Sequence, residues 1–362
     1  MATLFEPYQL GNISLRNRMV MSPMTRNRAS ADHIPTHIMP VYYEQRASAG
    51  LIITEGTAPS PNATGYPRIP GVYNNQQVEE WKKVTERVHN KGGKIIMQLM
   101  HTGRVGHPDN LPEGAKVVAP SAITPQNTTM YVDGKGMEEI PAPHEMTRED
   151  IATATRDFVK SAQNAIQAGF DGVELHGANG YLMEQFLYPG SNERTDEYGG
   201  SIENRARFVL ETTKAVSDAI GKDKVGIRLS PQGAFNDVMP YEGAEEMYDY
   251  LSQELDKLDI LYIHTVDHSA MGAPEVPQQI KNTIRKNFSN TIILSGGYDK
   301  ARAAADLADN KGDLVAFGRP FLANPDLVER FKQDAPLNNP DYDTFYTPGE
   351  KGYIDYPLMG DA

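Results

Sequence analysis

Eight short apolar runs alternate with helical segments along this chain, and this alternation constrains the fold more than any other feature. The runs are typical of the buried strands of a parallel sheet covered by helices. They lie at 18–23, 51–55, 94–99, 172–176, 225–229, 260–263, 291–295 and 314–317. Helices are predicted at 38–49, 76–91, 149–168, 202–219, 242–257, 276–287 and 299–309, and a last one near Pro325. Eight such units predict an α/β fold with a closed (β/α)8 barrel.

Two segments extend the predicted barrel. Residues 3–16 are typical of a small hairpin that turns at Gly11-Asn12. The Pro- and Gly-rich region 101–146, after the third strand, is too long for a plain loop, and we expect it to cross the active face. An open doubly wound sheet is the alternative, although no G-x-G-x-x-G follows an early strand. Because no linker interrupts the pattern, a single domain is expected over 1–362.

The composition excludes several classes of function. A formal net charge of −13 argues against binding to nucleic acid or to an anionic membrane surface. The absence of cysteine excludes disulfides, thiolate metal sites, iron–sulfur clusters and cysteine nucleophiles. Since neither a signal peptide nor a membrane-spanning apolar stretch is read, we expect a cytoplasmic protein.

The carboxyl ends of the strands form the active site in barrels of this kind, and one strand end is rich in polar groups. The strand at 172–176 ends at His176, and Asn179 and Tyr181 follow it closely. An imidazole, an amide and a phenol can hold a carbonyl oxygen with two hydrogen bonds and supply a proton nearby. A polar stretch then enters a helix at Ser201, which is a favourable N-cap residue.

Two glycine-containing pairs follow the last two strands. Gly296-Gly297 and Gly318-Arg319 lie where barrels commonly bind phosphate through backbone N–H groups. Arg319 adds a bidentate donor for phosphate oxygens. The alternative is that these glycines only close tight turns.

Three further polar residues complete the ring of strand ends, namely Thr25, Gln98 and Arg228. A planar heterocycle with carbonyl and imide edges would need such a set, and Arg228 would stabilise negative charge on it. The alternative for Arg228 is a buried ion pair inside the barrel, for example with Glu174.

Four other histidines are less informative. His264 and His268 have H-x-x-x-H spacing, but they follow a strand and lack the Glu of a zincin motif, so no metal is predicted. His101 and His107 lie in the polar region after the third strand, and we expect both to be solvated.

Over nearly its whole length the chain resembles the Old Yellow Enzyme family of flavin-dependent ene reductases. The segment 192–208 is long and specific, whereas no short motif is sufficient alone. The other matching segments are 22–26 (SPMTR), 54–56 (TEG), 98–104 (QLMHTGR), 176–182 (HGANGYL), 228–230 (RLS), 295–297 (SGG) and 317–321 (FGRPF). The resemblance implies a (β/α)8 barrel that binds FMN non-covalently.

The resemblance also implies roles around the cofactor. Thr25 would hydrogen-bond the flavin C4 carbonyl, Gln98 would bind the pyrimidine edge, and Arg228 would lie near N1 and the C2 carbonyl. The remaining cofactor contacts would come from Pro23, Met24, Gly56, His176, Asn179, Gly296, Gly297, Gly318 and Arg319, of which the last three would bind the phosphate.

For the reaction, the resemblance implies that His176 and Asn179 hold the carbonyl or nitro oxygen of a small electrophilic alkene. Its β-carbon would accept hydride from flavin N5, and Tyr181, with an ordinary phenol pKa of ~10, would protonate the α-carbon. NADPH or NADH would first reduce the flavin in the same pocket, which gives ping-pong turnover. Reduction of nitrate esters, nitroaromatics or quinones is an alternative on the same site.

At two positions the chain differs from some or many members of the family, and at two others it matches aromatic residues of the substrate pocket. Thr25 separates the chain from the branch of the family that usually carries Cys there. Met100 stands where relatives often carry Trp, so we expect a roomier pocket and altered facial selectivity. Tyr66 and Tyr346 match aromatic pocket positions, and a monomer or homodimer is expected.

Two other classes of function agree less well with the residues. A flavin-binding module without turnover would need none of His176, Asn179 and Tyr181. A flavin-free aldolase or isomerase would need a Schiff-base Lys or paired carboxylates at the strand ends, and the predicted strand ends offer neither.

Overall fold

A computed structural model describes residues 3–360 of the chain. The strands are β1 (Tyr8–Leu10), β2 (Ile13–Leu15), β3 (Met19–Met21), β4 (Leu51–Ile53), β5 (Ile95–Leu99), β6 (Val118–Ala119), β7 (Thr129–Val132), β8 (Gly136–Glu139), β9 (His144–Glu145), β10 (Gly172–Gly177), β11 (Val225–Leu229), β12 (Tyr262–Val266), β13 (Thr291–Ser295) and β14 (Leu314–Phe317). The α-helices are α1 (Ile38–Gln45), α2 (Asn75–Asn90), α3 (Arg148–Gln167), α4 (Leu182–Leu187), α5 (Ile202–Ile220), α6 (Ala244–Lys257), α7 (Gln278–Asn287), α8 (Lys300–Ala308), α9 (Arg319–Ala323) and α10 (Leu327–Gln333).

Eight of these strands, β3 to β5 and β10 to β14, form a closed barrel. Every strand runs parallel to both neighbours, and β14 pairs with β3 to complete the ring, with Val315 opposite Met19. The predicted (β/α)8 fold is therefore confirmed, and the open sheet is excluded because the ring leaves no sheet edge. The predicted single domain over 1–362 stays a prediction, and its two terminal residues at each end lie outside the described residues.

The hairpin β1–β2 closes the amino-terminal end of the barrel. Leu10 of the hairpin belongs to the same buried cluster as the barrel residues Leu51 and Ile96. The Tyr8 hydroxyl lies 2.8 Å from Thr291 Oγ1, at the start of β13. Since apolar packing fills this end, the opposite end of the barrel is left for polar chemistry.

Two helix starts show how local chemistry fixes the outer layer. Ser201 caps α5, where its Oγ accepts a hydrogen bond of 3.3 Å from the Asn204 N–H, as predicted. Thr147 and Asp150 form a capping box at the start of α3. Both caps satisfy first-turn N–H groups that have no partner within the helix.

Several predicted boundaries were wrong by a few residues. Strand β12 spans Tyr262–Val266 rather than 260–263, because Asp259 turns the chain with a φ of 52° before the strand begins. Helix α1 ends at Gln45 rather than 49. The short helices α4 and α9 were not predicted, and both begin directly after strand ends that carry predicted site residues.

The region 101–146 covers the carboxyl end of the barrel. It contains the antiparallel hairpin β7–β8 and the short pair β6–β9. Its Met130 and Ile140 share a buried cluster with Met100 and Tyr181. The excursion therefore packs on the face where the strand ends meet, as predicted.

The C-terminal segment 341–357 is held against the loop that follows β3 by two buried arginines. Arg26 Nε and Arg28 Nη1 both donate to the Phe345 carbonyl oxygen, at 3.0 and 2.9 Å. Arg26 Nη2 also donates to the Gly352 carbonyl oxygen at 2.6 Å. Because the acceptors are main-chain carbonyls, the backbone of the segment sets its position.

Among residues 3–360, none of the helices combines the length and the apolar character that crossing a membrane would require.

Candidate active site

The parallel register places the predicted polar residues side by side across four neighbouring strands. On β10, Glu174 lies opposite Gln98 of β5, and His176 lies opposite Arg228 of β11. On β12, His264 lies opposite Arg228 from the other side. Residues two apart face the same side of a strand, so Glu174 and His176 share one face.

The most connected member of this group is Glu174, whose carboxylate is fully buried. Its Oε1 accepts a hydrogen bond from Gln98 Nε2 at 2.8 Å, and its Oε2 accepts from His264 Nδ1 at 2.8 Å and from the Tyr262 hydroxyl at 3.1 Å. Burial would raise the pKa of Glu174, but His264 and Arg228 hold that pKa below its ordinary value. The ionised Glu174 carboxylate therefore fixes the orientation of the Gln98 amide, whose NH2 faces Glu174 and whose oxygen points away from it.

Sequence reasoning did not identify the hydrogen-bond network around Glu174 as part of the site. Glu174 entered the sequence reasoning only as an ion-pair partner of Arg228, although its position two residues before His176 placed it on the same face of the strand. His264 lies within β12 rather than after it, and its partners come from distant parts of the chain.

Arg228 has a buried guanidinium that the protein leaves without a partner. It is 7% exposed and has no direct salt-bridge contact with Glu174, although the charge of Glu174 opposes the lowering of the Arg228 pKa by burial. Among residues 3–360, no protein group accepts a hydrogen bond from it, and its Nε is buried without one. A buried, unpartnered cation requires an electron-rich ligand, and the carbonyl edge of a flavin fits that requirement.

His176 is held as a neutral hydrogen-bond donor. Its Nδ1 accepts from the Ala178 N–H at 3.3 Å, which leaves the proton on Nε2. Burial, together with the charge of Arg228, lowers the pKa of His176 well below its ordinary value. Its ring meets that of Tyr181 edge-on, with 4.9 Å between the ring centres. The imidazole ring and the phenol ring are therefore neighbours at this strand end.

Asn179 lies in a left-handed turn with a φ of 61°, a conformation that Asn tolerates better than most residues. Its N–H donates to Ser230 Oγ at 2.8 Å, and Ser230 Oγ donates to Glu184 Oε1 at 2.7 Å. Its carbonyl oxygen accepts from Asn236 Nδ2 at 2.8 Å. Burial raises the pKa of Glu184 to about 7. Sequence reasoning missed this support, because Glu184 resembles an ordinary helix residue.

Tyr181 and Tyr66 form a buried hydroxyl pair, with 3.0 Å between their oxygens. Burial, followed by the proximity of Tyr66, raises the pKa of Tyr181 well above that of an ordinary phenol, so the expectation of an unperturbed value was wrong. Burial also raises the pKa of Tyr66 to about 12. Tyr181 therefore keeps its proton across the physiological pH range.

Tyr346 lies at the rim of this site rather than in its wall. Its side chain is 61% exposed, and its carbonyl oxygen accepts a hydrogen bond from Arg68 Nη2 at 3.3 Å. It is close enough to contribute to the raised pKa values of Tyr66 and Tyr181. Its predicted contact with substrate stays a prediction.

The floor of the site is formed by the segments that follow β3, β4 and β5. Pro23 is buried, whereas Met24 and Thr25 are partly exposed. The buried Met100 side chain lies over Gly56, where an added Cβ would be 2.5 Å from Met100 Sδ. A side chain at position 56 would therefore have to displace the Met100 thioether.

The glycines after β13 are crowded by protein atoms, whereas the glycine after β14 is not. An added Cβ would be 2.0 Å from the Asp267 carbonyl oxygen at Gly296 and 2.2 Å from the Ala270 Cβ at Gly297, and both glycines have positive φ. Tight packing of the protein thus explains this first pair without a ligand.

Gly318, by contrast, would have its nearest neighbour 3.6 Å from an added Cβ, at Met24 Sδ. Crowding by the protein does not explain this glycine, and the free space beside it fits a ligand. Arg319 is exposed at the start of α9, with its guanidinium 5.6 Å from the centre of the Tyr342 ring.

Contrary to prediction, His101 is buried rather than solvated. Burial lowers its pKa to about 3, and its Nδ1 accepts from the Gly103 N–H at 3.1 Å. In the part of the chain that the structure describes, no group of three or more His, Cys, Asp or Glu residues is arranged to hold a metal ion.

Comparisons with known proteins agree with this geometry. Residues 3–338 match the model of a family described as the NADH:flavin oxidoreductase / NADH oxidase family. A probable flavin mononucleotide-dependent alkene reductase of Leishmania infantum is 41% identical over 363 residues, which cover 98% of this chain and 97% of that protein.

Two solved structures are similar over almost the whole chain. Morphinone reductase in complex with tetrahydroNAD has a TM-score of 0.94 at 45% identity, covering 99% of this chain and 98% of that one. The old yellow enzyme homologue from Zymomonas mobilis has a TM-score of 0.94 at 38% identity, covering 99% and 100%.

Proposed function

Because the chain belongs to the NADH:flavin oxidoreductase / NADH oxidase family, we propose that its site reduces alkenes conjugated to a carbonyl or nitro group. The chain is an FMN-dependent alkene reductase of the Old Yellow Enzyme type that uses NAD(P)H, which confirms the resemblance drawn from the sequence. The substrate class and the roles of the individual residues are the proposal.

The observation that carries the assignment of residues to FMN is the buried Arg228 guanidinium without a protein partner. When bound, FMN supplies a hydride that it has taken from NAD(P)H. Arg228 would hold the C2 carbonyl edge and stabilise negative charge there. Gln98, fixed by Glu174, would bind the pyrimidine edge, and Thr25 would bind the C4 carbonyl.

The phosphate would lie beside Gly318 and Arg319. The open space next to Gly318 supports this part of the proposal, and Arg319 is exposed and able to turn toward an anion. Gly296 and Gly297 would contribute through their backbone.

On the substrate side, His176 Nε2–H and the Asn179 amide would donate two hydrogen bonds to the carbonyl or nitro oxygen. These bonds draw electrons from the double bond and make its β-carbon electrophilic. Tyr181, protonated at neutral pH, would deliver its proton to the α-carbon. The Tyr66 hydroxyl, 3.0 Å away, can donate to the Tyr181 oxygen as that proton leaves.

The test is the visible absorbance of the purified protein under anaerobic conditions. We expect a flavin spectrum that bleaches with NADPH or NADH and returns when 2-cyclohexenone is added. A spectrum that bleaches but does not return would refute the enone proposal and favour nitro compounds, nitrate esters or quinones. A protein that stays colourless after FMN is supplied would refute the cofactor roles of Arg228 and Gly318.

A further inference from the structure

His268 contacts the substrate-binding amide, although the function proposed above assigns it no role. It follows β12, and its Nε2 lies 2.7 Å from Asn179 Oδ1. His268 is 5% exposed, and its ring stacks on that of Phe235, with 5.3 Å between the ring centres and 22° between the planes. The contact is therefore partly buried, and the imidazole is held in place from a second side.

The chemistry of this contact determines how the amide is oriented. An amide oxygen only accepts hydrogen bonds, so His268 Nε2 must carry the proton. Burial, with Arg228 nearby, lowers the pKa of His268 to about 4, so the ring is neutral at neutral pH and has a single N–H. That N–H is engaged by Asn179 Oδ1, which turns the amide NH2 away from His268.

The backbone of Asn179 is held at the same time. Its N–H donates to Ser230, and its carbonyl oxygen accepts from Asn236. Within residues 3–360, no protein group accepts a hydrogen bond from Asn179 Nδ2, and Asn179 is partly exposed, so this donor is available to a ligand. The remaining freedom is a half-turn of the amide, which would present its oxygen to the substrate oxygen and replace a hydrogen bond with repulsion.

We propose that His268 is a positioning residue that holds the Asn179 amide with its NH2 toward the substrate oxygen. The inference rests on the proposed function, since it requires Asn179 to bind that oxygen. His268 acts only through Asn179.

The test is a double-mutant cycle on the oxidative half-reaction. Holoenzyme reduced with stoichiometric dithionite is mixed with 2-cyclohexenone in a stopped-flow instrument, which removes nicotinamide binding from the measurement. His268→Phe keeps a flat ring but removes the donor, and we expect it to weaken the apparent affinity for the enone about two- to tenfold. In an Asn179→Ala background the same change should cost less than about twofold.

A second variant separates positioning from folding. His268→Gln places an amide donor at a similar reach, so it should recover most of the affinity that His268→Phe loses. His37→Gln, at an exposed site, is the matched control and should match wild type. FMN content and thermal unfolding are measured on every variant.

The possible results distinguish failure of the positioning role of His268 from failure of the proposed enone reduction. Equal losses from His268→Phe with and without Asn179, or wild-type affinity in His268→Phe, would overturn the positioning role. If the wild-type enzyme itself is not reoxidised by 2-cyclohexenone, it is the enone proposal that fails.

Discussion

Replacing Glu174 with Gln should destabilise the cofactor-free protein more than the same replacement of an exposed glutamate would. Gln98, His264 and Tyr262 all donate hydrogen bonds to this carboxylate, whereas an amide has one accepting oxygen and an NH2 that also donates. His264 could change tautomer to accept from that NH2. Its Nε2, which is buried without a partner, would then carry an N–H with no acceptor. With its oxygen toward His264 and Tyr262, the new amide would oppose its NH2 to that of Gln98, so a buried donor is left unsatisfied unless the Gln98 amide turns over and loses the orientation argued for it.

The magnitude follows from two losses. An unsatisfied buried donor costs about 1–3 kcal/mol. Removing one member of a buried charge pair costs about 3–5 kcal/mol, but Arg228 does not contact Glu174 directly, so its share is smaller. We expect a total loss of about 3 kcal/mol in the free energy of unfolding, which is a large part of the typical total of about 5–15 kcal/mol.

The assay is urea unfolding of the apoprotein, followed by the fluorescence of Trp81, which is the single tryptophan and is fully buried. The control is Glu149→Gln, which removes an exposed carboxylate paired with Arg156 and should leave the unfolding free energy nearly unchanged. If the two variants unfold at the same urea concentration, the argued role of Glu174 as the acceptor that satisfies three buried donors is refuted.

Three further predictions concern the reaction, the pH profile and the pocket. Tyr181→Phe should leave reduction of FMN by NAD(P)H nearly intact and slow enone reduction by about 10²-fold or more; equal losses in both half-reactions would indicate a structural role. Burial raises the pKa values of Glu55 and Glu184 to about 7. It lowers the pKa of His101 to about 3 and that of His268 to about 4. Because their pKa values are raised, the two acids contribute stability at low pH, and this contribution is lost as the pH rises toward 7. Because their pKa values are lowered, the histidines contribute stability above pH ~6.5, and this contribution is lost as the pH falls. Burial also lowers the pKa of His176, so the histidines outweigh the acids. The unfolding free energy should therefore fall as the pH drops below about 6.5, and fall more steeply below about pH 4.5, where the acids no longer offset the histidines; a stability that stays constant or rises from pH 6.5 to 4 would contradict this account. Met100→Trp places a larger ring where Met100 packs over Gly56 and beside Tyr181, so we expect it to narrow the pocket and change product enantiomer ratios, and unchanged ratios across several prochiral enones would argue against it.

The barrel and its ring of site residues were predictable from sequence because they depend on local patterns. The predicted strands 225–229, 291–295 and 314–317 agree residue for residue with the observed ones, and His176, Asn179 and Tyr181 lie in one strand-end loop. Apolar runs of strand length carry that information directly.

What could not be predicted depends on contacts between distant parts of the chain. The hydrogen bonds of Glu174 join residues 76 to 90 positions apart, and the contact of His268 with Asn179 joins residues 89 positions apart. The burial of His101 and the raised pKa of Tyr181 likewise arise from the excursion and from Tyr66, whose placement no local pattern reveals.

The arginines that follow β3 have a consequence for the order in which this protein matures. Arg26 and Arg28 are synthesised 317 to 326 residues before the carbonyls of Phe345 and Gly352 that satisfy them. Until those residues have been made, two guanidiniums destined for burial must stay hydrated, and the adjoining loop with Thr25 lacks this support. The support of the site floor by segment 341–357 is thus added late in synthesis, long after the loop that it holds.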